Sequence, residues 1–523
     1  MILGDAAKPA NAVAAGPGRI ALDDLFRRAA MRRPGAIALA DAPNRASFAD
    51  GAPLRLSYAE ADRMISAIAG RLRKMGLPTD AVVGIQMANI VEQVLTLLGV
   101  LRAGLIAAPL PLLWRRADAV TALARVNAKA LIACGRAGRF APCRLAAQVA
   151  AEVFSIRYVG GFGDRLPDGV VGFDDLFAAA KLDPVPPLDR DGNAGAHLAV
   201  ATFEVGEDGP VPVARRHFEL LAGGLYAFLE GRLEQDGVVL SAIPPTSYAG
   251  LCLTIVPWLL AGGTLVLHQA FDAEIFAASR RDDRAATLVL PAPVALRLAE
   301  TGLLARQHPT TVLAAWHAPE RLAAAAEWPE RDAAVVDVAI FGEAGFIAAR
   351  RGSGGRPAPL TLGPIAAPRE SEAAVAVAEL ACSEAGTLTL RGPMVPRHAF
   401  PPGVERSDQP YFEIARDGSV DTGFPCLVDP LSQAVTIAGP PPGIVTVGAY
   451  RFPLCTLSAM IGRIDATAAL AALPDPLCGQ RLAGTAADLD AMQAALAAAG
   501  VNPLVAAAFG ERGEEVLRKA AVA

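Results

Sequence analysis

Strand-like runs that alternate with helix-length apolar periods place this chain among the layered α/β proteins, with largely parallel sheets in a large N-terminal domain and a small α+β domain at the C-terminal end. Three observations carry that assignment. The interleaving is regular, two long apolar stretches are each broken by charge, proline or glycine, and a proline–glycine break at 439–443 precedes a change of texture. At 523 residues the chain exceeds one ordinary core, so two or three packed units are expected.

The elements follow in order. Residues 58–75 place Ala61, Met64, Ile65, Ile68, Ala69 and Leu72 at helical spacing. A strand is predicted over 81–87, an apolar helix over 91–102 and a strand over 106–109. Later strands are predicted over 238–243, 264–267, 287–290 and 334–340, with helical segments between them. The apolar stretches 94–114 and 251–267 could suggest membrane spans. The first contains Arg102 and Pro109, and the second Pro257 and Gly262-Gly263, so both read as buried helix–strand units. The run Gly439-Pro440-Pro441-Pro442-Gly443 is a strong break, giving units 1–439 and 440–523. No internal repeat is present.

Composition narrows the function classes. With 53% hydrophobic and 19% charged residues the chain is globular rather than disordered. Its net charge of -5, without a basic run, argues against a nucleic-acid partner. The seven cysteines and six histidines lack metal-ligand spacing, and the cysteines read as free thiols in a reducing compartment. Residues 1–17 lack the positive region and apolar stretch of a signal peptide, so a cytoplasmic protein is expected.

Several segments then resemble one family. They are Ser57-Tyr58-Ala59-Glu60, Asn89-Ile90-Val91-Glu92, LLGVLRAGLIAAPL at 97–110, SAIPP at 241–245, LLAGGTLVL at 259–267 and LTLRGPMV at 388–395. VGAYRFP at 447–453 and PDPLCGQR at 474–481 continue the series, and order and spacing match the adenylate-forming acyl-CoA synthetases over most of the chain. The resemblance implies a large N-terminal domain of two α/β subdomains plus a β-rich piece, and a small C-terminal domain that swings between half-reactions. It also implies ATP, magnesium and a carboxylate yielding an acyl-adenylate, whose acyl group passes to a thiol, usually coenzyme A.

Against that pattern the site residues depart one after another. Phosphate binding needs backbone amides, hydroxyls and cations around dense negative charge. The collinear loop keeps Thr202, Gly206 and Gly209, but Val205, Glu207 and Asp208 replace hydroxyl residues and Pro212 replaces the lysine. Two carboxylates beside a pyrophosphate repel it by about 1 kcal/mol each at ~4 Å even in high dielectric. Arg215 and Arg216 read as solvated arginines at a helix start, the other reading being cations that reach back. The metal-binding turn is Phe341-Gly342-Glu343-Ala344-Gly345, with Ala344 for the threonine and Gly345 for the glutamate. Glu343 reads as a solvent-facing loop carboxylate, with a shifted metal ligand as the alternative, because one backbone step sends a side chain to the opposite face.

The adenine-facing glycines are replaced by Trp316-His317, and Trp316 is expected to fill core space rather than to stack on a ligand. Phe424 stands for the ribose aspartate and accepts no hydrogen bond. In the hinge, Pro440 replaces an arginine, Pro442 or Gly443 the acidic residue, and Thr446 the lysine; consecutive prolines stiffen the segment, with Gly443 left as a pivot. Lys519 reads as a solvated lysine at a helix end instead of the catalytic lysine. The acyl pocket would lie near 241–250 and 316–319, where Pro245, Thr246, Ser247 and Tyr248 leave chain length unreadable.

These groups act on one transition state, so their joint loss removes most of the rate enhancement. Three readings follow: a catalytically degenerate homologue that binds a ligand, an acyl carrier protein or another partner; a divergent active acid–thiol ligase; or a subunit of a larger complex. No catalytic residue, metal ligand or cofactor is assigned, and ATP, Mg²⁺ and coenzyme A are expected only under the second.

Overall fold

The computed structural model describes residues 19–178, 190–305, 308–329, 333–368 and 375–510, with 185, 186 and 188. Lys519 lies outside the described residues.

Two large sheets organise the N-terminal region. One has seven strands in the order Val171–Gly172, Tyr158–Phe162, Ala130–Cys134, Val82–Gln86, Ile106–Pro109, Leu198–Glu204 and Val211–Arg216. It is parallel except for the last hairpin. Every residue of Val82–Gln86 is buried, which is why the strand reads as an apolar run instead of an alternation. The other sheet has eight strands: Gly345–Arg350, Ala334–Phe341, Thr311–Trp316, Thr287–Pro291, Val238–Ser241, Thr264–Leu267, Ile37–Asp41 and Arg55–Ser57. Its inner strands are parallel and each edge is an antiparallel pairing.

Local chemistry explains the helices that cover these sheets. Ser57 caps Tyr58–Lys74: its Oγ accepts from the Glu60 amide at 3.3 Å, and the Glu60 carboxylate accepts from the Ser57 amide at 2.8 Å. Helix Val91–Arg102 is buried on all sides, which is why apolar residues dominate it from Val94 to Leu101. Arg102, the charge that interrupts the run, is buried between Asp23 at 2.7 Å and Asp62 at 2.8 Å. The second apolar stretch is a wide turn Leu251–Ile255, a helix Val256–Ala261 with Pro257 in its first turn, and strand Thr264–Leu267. Gly262 ends that helix in the left-handed region, φ +67°. A β-carbon on Gly263 would lie 1.8 Å from the Gly237 carbonyl oxygen. The carbonyl of Gly263 accepts from Tyr58 Oη and Trp258 Nε1, which joins helix Tyr58–Lys74 to the end of helix Val256–Ala261.

An antiparallel six-stranded sheet spans 360–437, and a four-stranded sheet is made by Tyr450–Pro453, Ile444–Val447, Gly479–Thr485 and Ala469–Asp475. The last sheet packs its own core of Phe452, Ile461, Leu482, Leu496 and Phe509 under helices Leu454–Ile464 and Leu489–Ala499. Among the described residues no helix is long and apolar enough to cross a membrane. The expected limits of helix 91–102 and strands 106–109 and 264–267 coincide with the observed ones. Strand 238–243 stops early, at Ser241, because the Ser241 hydroxyl takes the Ile243 amide at 3.1 Å and turns the chain out of the ladder.

Candidate active-site cleft

The carboxyl ends of parallel strands are where open α/β sheets bind ligands. Here the ends of Val238–Ser241, Thr311–Trp316 and Ala334–Phe341 contribute Ile243, Pro244, His317, Gly342 and Glu343 to a cavity of about 570 Å³. Hairpin residues 203–210 form a second wall and residues 449–460 of the small sheet a third.

The hairpin turn keeps its shape. Gly209 has φ +100°, and a β-carbon on Gly206 would meet the Gly209 carbonyl oxygen at 3.0 Å. Arg125 holds the turn through its carbonyls: Asp208 at 3.0 Å, Gly209 at 3.1 Å and Pro210 at 2.7 Å. Glu207 and Asp208 are exposed at its tip. Pro212 is buried on the edge strand opposite Phe203, where a missing amide donor is tolerated.

The second turn departs from the reading above. Glu343 is buried, not solvent-facing. Its Oε2 accepts from Thr202 Oγ1 at 2.6 Å and from the Tyr248 amide at 3.0 Å. Gly342 at φ +56° breaks the strand alternation, so the side chain after it swings inward. Arg215 is likewise buried, not solvated. It donates to the carbonyls of Glu343 and Ala344, and its guanidinium lies 4.2 Å from the Tyr248 ring centre. Arg216 is the half-buried residue that precedes helix His217–Gly231. Ala344 and Gly345 are buried without lining the cavity.

Trp316 sits in the core, donating to Asp337 at 2.8 Å, while Asp337 pairs with Arg351 at 2.7 Å; the indole does not line the cavity, and His317 does. Phe424 packs edge-on against Phe341 at 5.5 Å, where no ribose hydroxyl could be met. At the hinge, the Pro441 carbonyl accepts from the Ile444 amide at 3.0 Å, a β-carbon on Gly423 would lie 3.4 Å from the Pro441 ring, and Gly443 takes φ +74°. Pro440, Pro442 and Gly443 do not line the cavity.

Sequence reasoning missed the group that joins the walls. Arg451, inside VGAYRFP, pairs with Glu204 at 2.5 Å, and the other Glu204 oxygen accepts from the Glu343 amide at 2.7 Å. A β-carbon on Gly342 would lie 2.0 Å from Glu204 Oε2 and 2.4 Å from Arg451 Nη1, so only glycine admits this pair. Asp118, Tyr450 and Asn502, also unforeseen, line the cavity. The signal for Arg451 and Tyr450 lay in their motif; nothing in the sequence marked Asp118 or Asn502.

Burial sets the electrostatics. It pushes Glu343 up to about 7, with Glu204 adding to the effect and the hydrogen bond from Thr202 opposing it. Burial also pushes Asp118 up to about 6, holds His317 down to about 4, and raises Tyr450 to about 12. The residues do not fit a magnesium nucleotide. The turn carries the carboxylates of Glu207 and Asp208 at its tip, the Glu343 carboxylate is spent on Thr202 and Tyr248, and Arg451, the one arginine or lysine of the described lining, pairs with Glu204. Among the described residues no group of three or more acidic, histidine or cysteine side chains could hold a metal ion.

Comparison with known proteins gives the context. Residues 26–195 match the AMP-binding enzyme family. Long-chain fatty acid transport protein 1 of Bos taurus is 26% identical over 269 residues, 49% of this chain and 38% of that protein. Phenyloxazoline synthase MbtB of Mycobacterium tuberculosis is 29% identical over 256 residues, 47% of this chain and 16% of that protein. The match therefore spans well under half of either relative. Among solved structures, the amide bond synthetase McbA of Marinactinospora thermotolerans aligns over 93% of this chain and 94% of its own, with TM-score 0.69 and 19% identity. Apo MbtA of Mycobacterium smegmatis aligns over 95% and 91%, with TM-score 0.64 and 20% identity. These likenesses give the chain the adenylate-forming fold.

Proposed function

We propose that this chain, which has the adenylate-forming fold and an AMP-binding match over residues 26–195, is a catalytically degenerate homologue that holds a small ligand in the cleft without activating it. The observation that carries this reading is the charge of the lining. Five carboxylates (Asp118, Glu204, Glu207, Asp208 and Glu343) face one arginine, which is already paired. A polyphosphate placed there meets like charges, each costing about 1 kcal/mol at ~4 Å in water and about 4 kcal/mol where the effective dielectric is lower. The boundary near residue 440 separates a unit that, in this reading, closes the cleft instead of cycling between half-reactions. A cytoplasmic location remains part of the proposal.

The test is pyrophosphate exchange over a panel of carboxylic acids, together with calorimetric titration of ATP–Mg²⁺ into the full chain. No exchange and no saturable heat are expected; exchange above a no-enzyme control defeats the reading. The second reading, an active acid–thiol ligase working through an acyl-adenylate with coenzyme A or an acyl carrier protein, is favoured by the cavity itself, which is large enough for an acyl group. Exchange dependent on one class of acid would select it.

A further inference from the structure

We propose that Cys382 and Cys426 form a two-thiol chelating site, separate from the cleft, for a thiophilic metalloid of the trivalent organoarsenical class. It stands independently of what the cleft binds.

Geometry points to the pair. Cys382 ends strand Val375–Cys382 and Cys426 lies in strand Val420–Val428, the two strands that flank Thr387–Arg391. Both are free thiols, with their sulfurs 3.6 Å apart. Backbone bonds hold that spacing. In the turn after Cys382, the Ser383 amide donates to the Thr387 carbonyl at 2.8 Å and the Gly386 amide to the Ser383 carbonyl at 3.0 Å. The Cys426 amide then donates to the Gly386 carbonyl at 2.9 Å, which ties the second thiol to the same turn. Two bonds of about 2.3 Å from sulfur to one centre, meeting at a near-tetrahedral angle, set the sulfurs ~3.7 Å apart. The pair is spaced for chelation as it stands.

The number of donors selects the ligand. A zinc-type ion takes four ligands. The oxygens along this edge are engaged with one another: Ser383 Oγ lies 2.6 Å from Thr387 Oγ1, which donates to Asp421 at 2.7 Å, and Asp421 also accepts from the Gly423 amide at 2.8 Å. Among the described residues no group of three or more histidine, cysteine or acidic side chains could hold a metal ion. A monosubstituted trivalent arsenical brings its own carbon ligand and asks for two sulfurs only. Cys382 is exposed and meets the reagent first. Burial pushes the Cys426 thiol up to about 11, with Cys382 adding to the effect, so it gives up its proton as the second bond forms. With phenylarsine oxide the step balances. The arsenic–oxygen bonds break, two arsenic–sulfur bonds form, both thiol protons leave with the oxygen as water, and arsenic stays trivalent.

The fully reduced full chain, treated with one equivalent of phenylarsine oxide, tests this. Intact mass should show one phenylarsenic group that survives about tenfold excess of 2-mercaptoethanol and is removed by 2,3-dimercaptopropanol. A single thiol, such as the exposed Cys455 or Cys478, holds arsenic by one bond that a monothiol displaces. Cys382→Ser and Cys426→Ser should each lower the retained fraction at least tenfold, and the double variant Cys455→Ser, Cys478→Ser should leave it unchanged. Should the buried Cys426→Ser variant not fold, the exposed Cys382→Ser gives the same test. No arsenic retained on the unaltered chain, release by the monothiol, or retention that survives Cys382→Ser overturns the proposal. None of these outcomes bears on the ATP–Mg²⁺ titration, so the two readings stand or fall separately.

Discussion

Thr202 and Glu343 show how single residues reshape the cleft. A hydroxyl from the hairpin strand and a carboxylate from the second turn are bonded to each other at 2.6 Å. Thr202→Val removes the donor and leaves the carboxylate short of a partner, so it should cost roughly 1–3 kcal/mol in chemical denaturation. The pH dependence follows from the same group. Glu343, facing Glu204, Arg215, Thr202 and Tyr248, titrates near 7 when folded and near the ordinary 4.5 when unfolded. The folded state therefore binds the extra proton between those values, and the stabilisation present below pH 4.5 is lost as pH rises through 7. Melting temperature should fall from pH 5 to pH 8, and Glu343→Gln should flatten that slope; an unchanged slope removes Glu343 as its source. The inward turn of this side chain was not legible, because the face-alternation rule holds for extended backbone and Gly342 is left-handed.

At the scale of elements, the hairpin turn at 205–210 is kept rigid by an arginine on another element. Arg125 comes from helix Arg116–Arg125, and its three carbonyl contacts are long-range. Arg125→Ala should leave the fold intact and raise amide exchange of residues 205–210 several-fold, measured by mass spectrometry. In the antiparallel six-stranded sheet, Cys382 and Cys426 place their sulfurs 3.6 Å apart, the first exposed and the second buried. Exchange with glutathione disulfide should link them, transferring both electrons to glutathione, and a thiol assay in denaturant should fall from seven to five; seven retained thiols would rule this out. Their sequence positions gave no hint of the pairing, since it depends on two strands flanking a third. The main strands and the helix at 91–102 were legible because period and length separate helix from strand when runs are long.

For the whole molecule the question is how the small sheet sits on the large region. It docks through Arg451–Glu204, the Leu113 amide to Tyr450 Oη at 3.2 Å, Arg321 to the Asp475 and Pro476 carbonyls at 3.1 Å, and the Ala117 amide to Gly500 at 2.9 Å. One ion pair among several hydrogen bonds makes docking sensitive to Arg451. Arg451→Ala should enlarge the radius of gyration in small-angle scattering while leaving the circular dichroism unchanged, and an identical scattering profile would show that the remaining hydrogen bonds suffice. The amino-acid sequence by itself determined the layered α/β architecture, the buried character of both apolar stretches, and the residue types that stand in the resembling motifs. Those are properties of period, composition and residue type along the chain. Tertiary structure alone decided that Glu343 and Arg215 are internal, that Arg451 reaches Glu204 across 247 positions, and that Asp118 and Asn502 share one cavity. Such meetings are set by packing between distant segments, and local pattern carries no term for them.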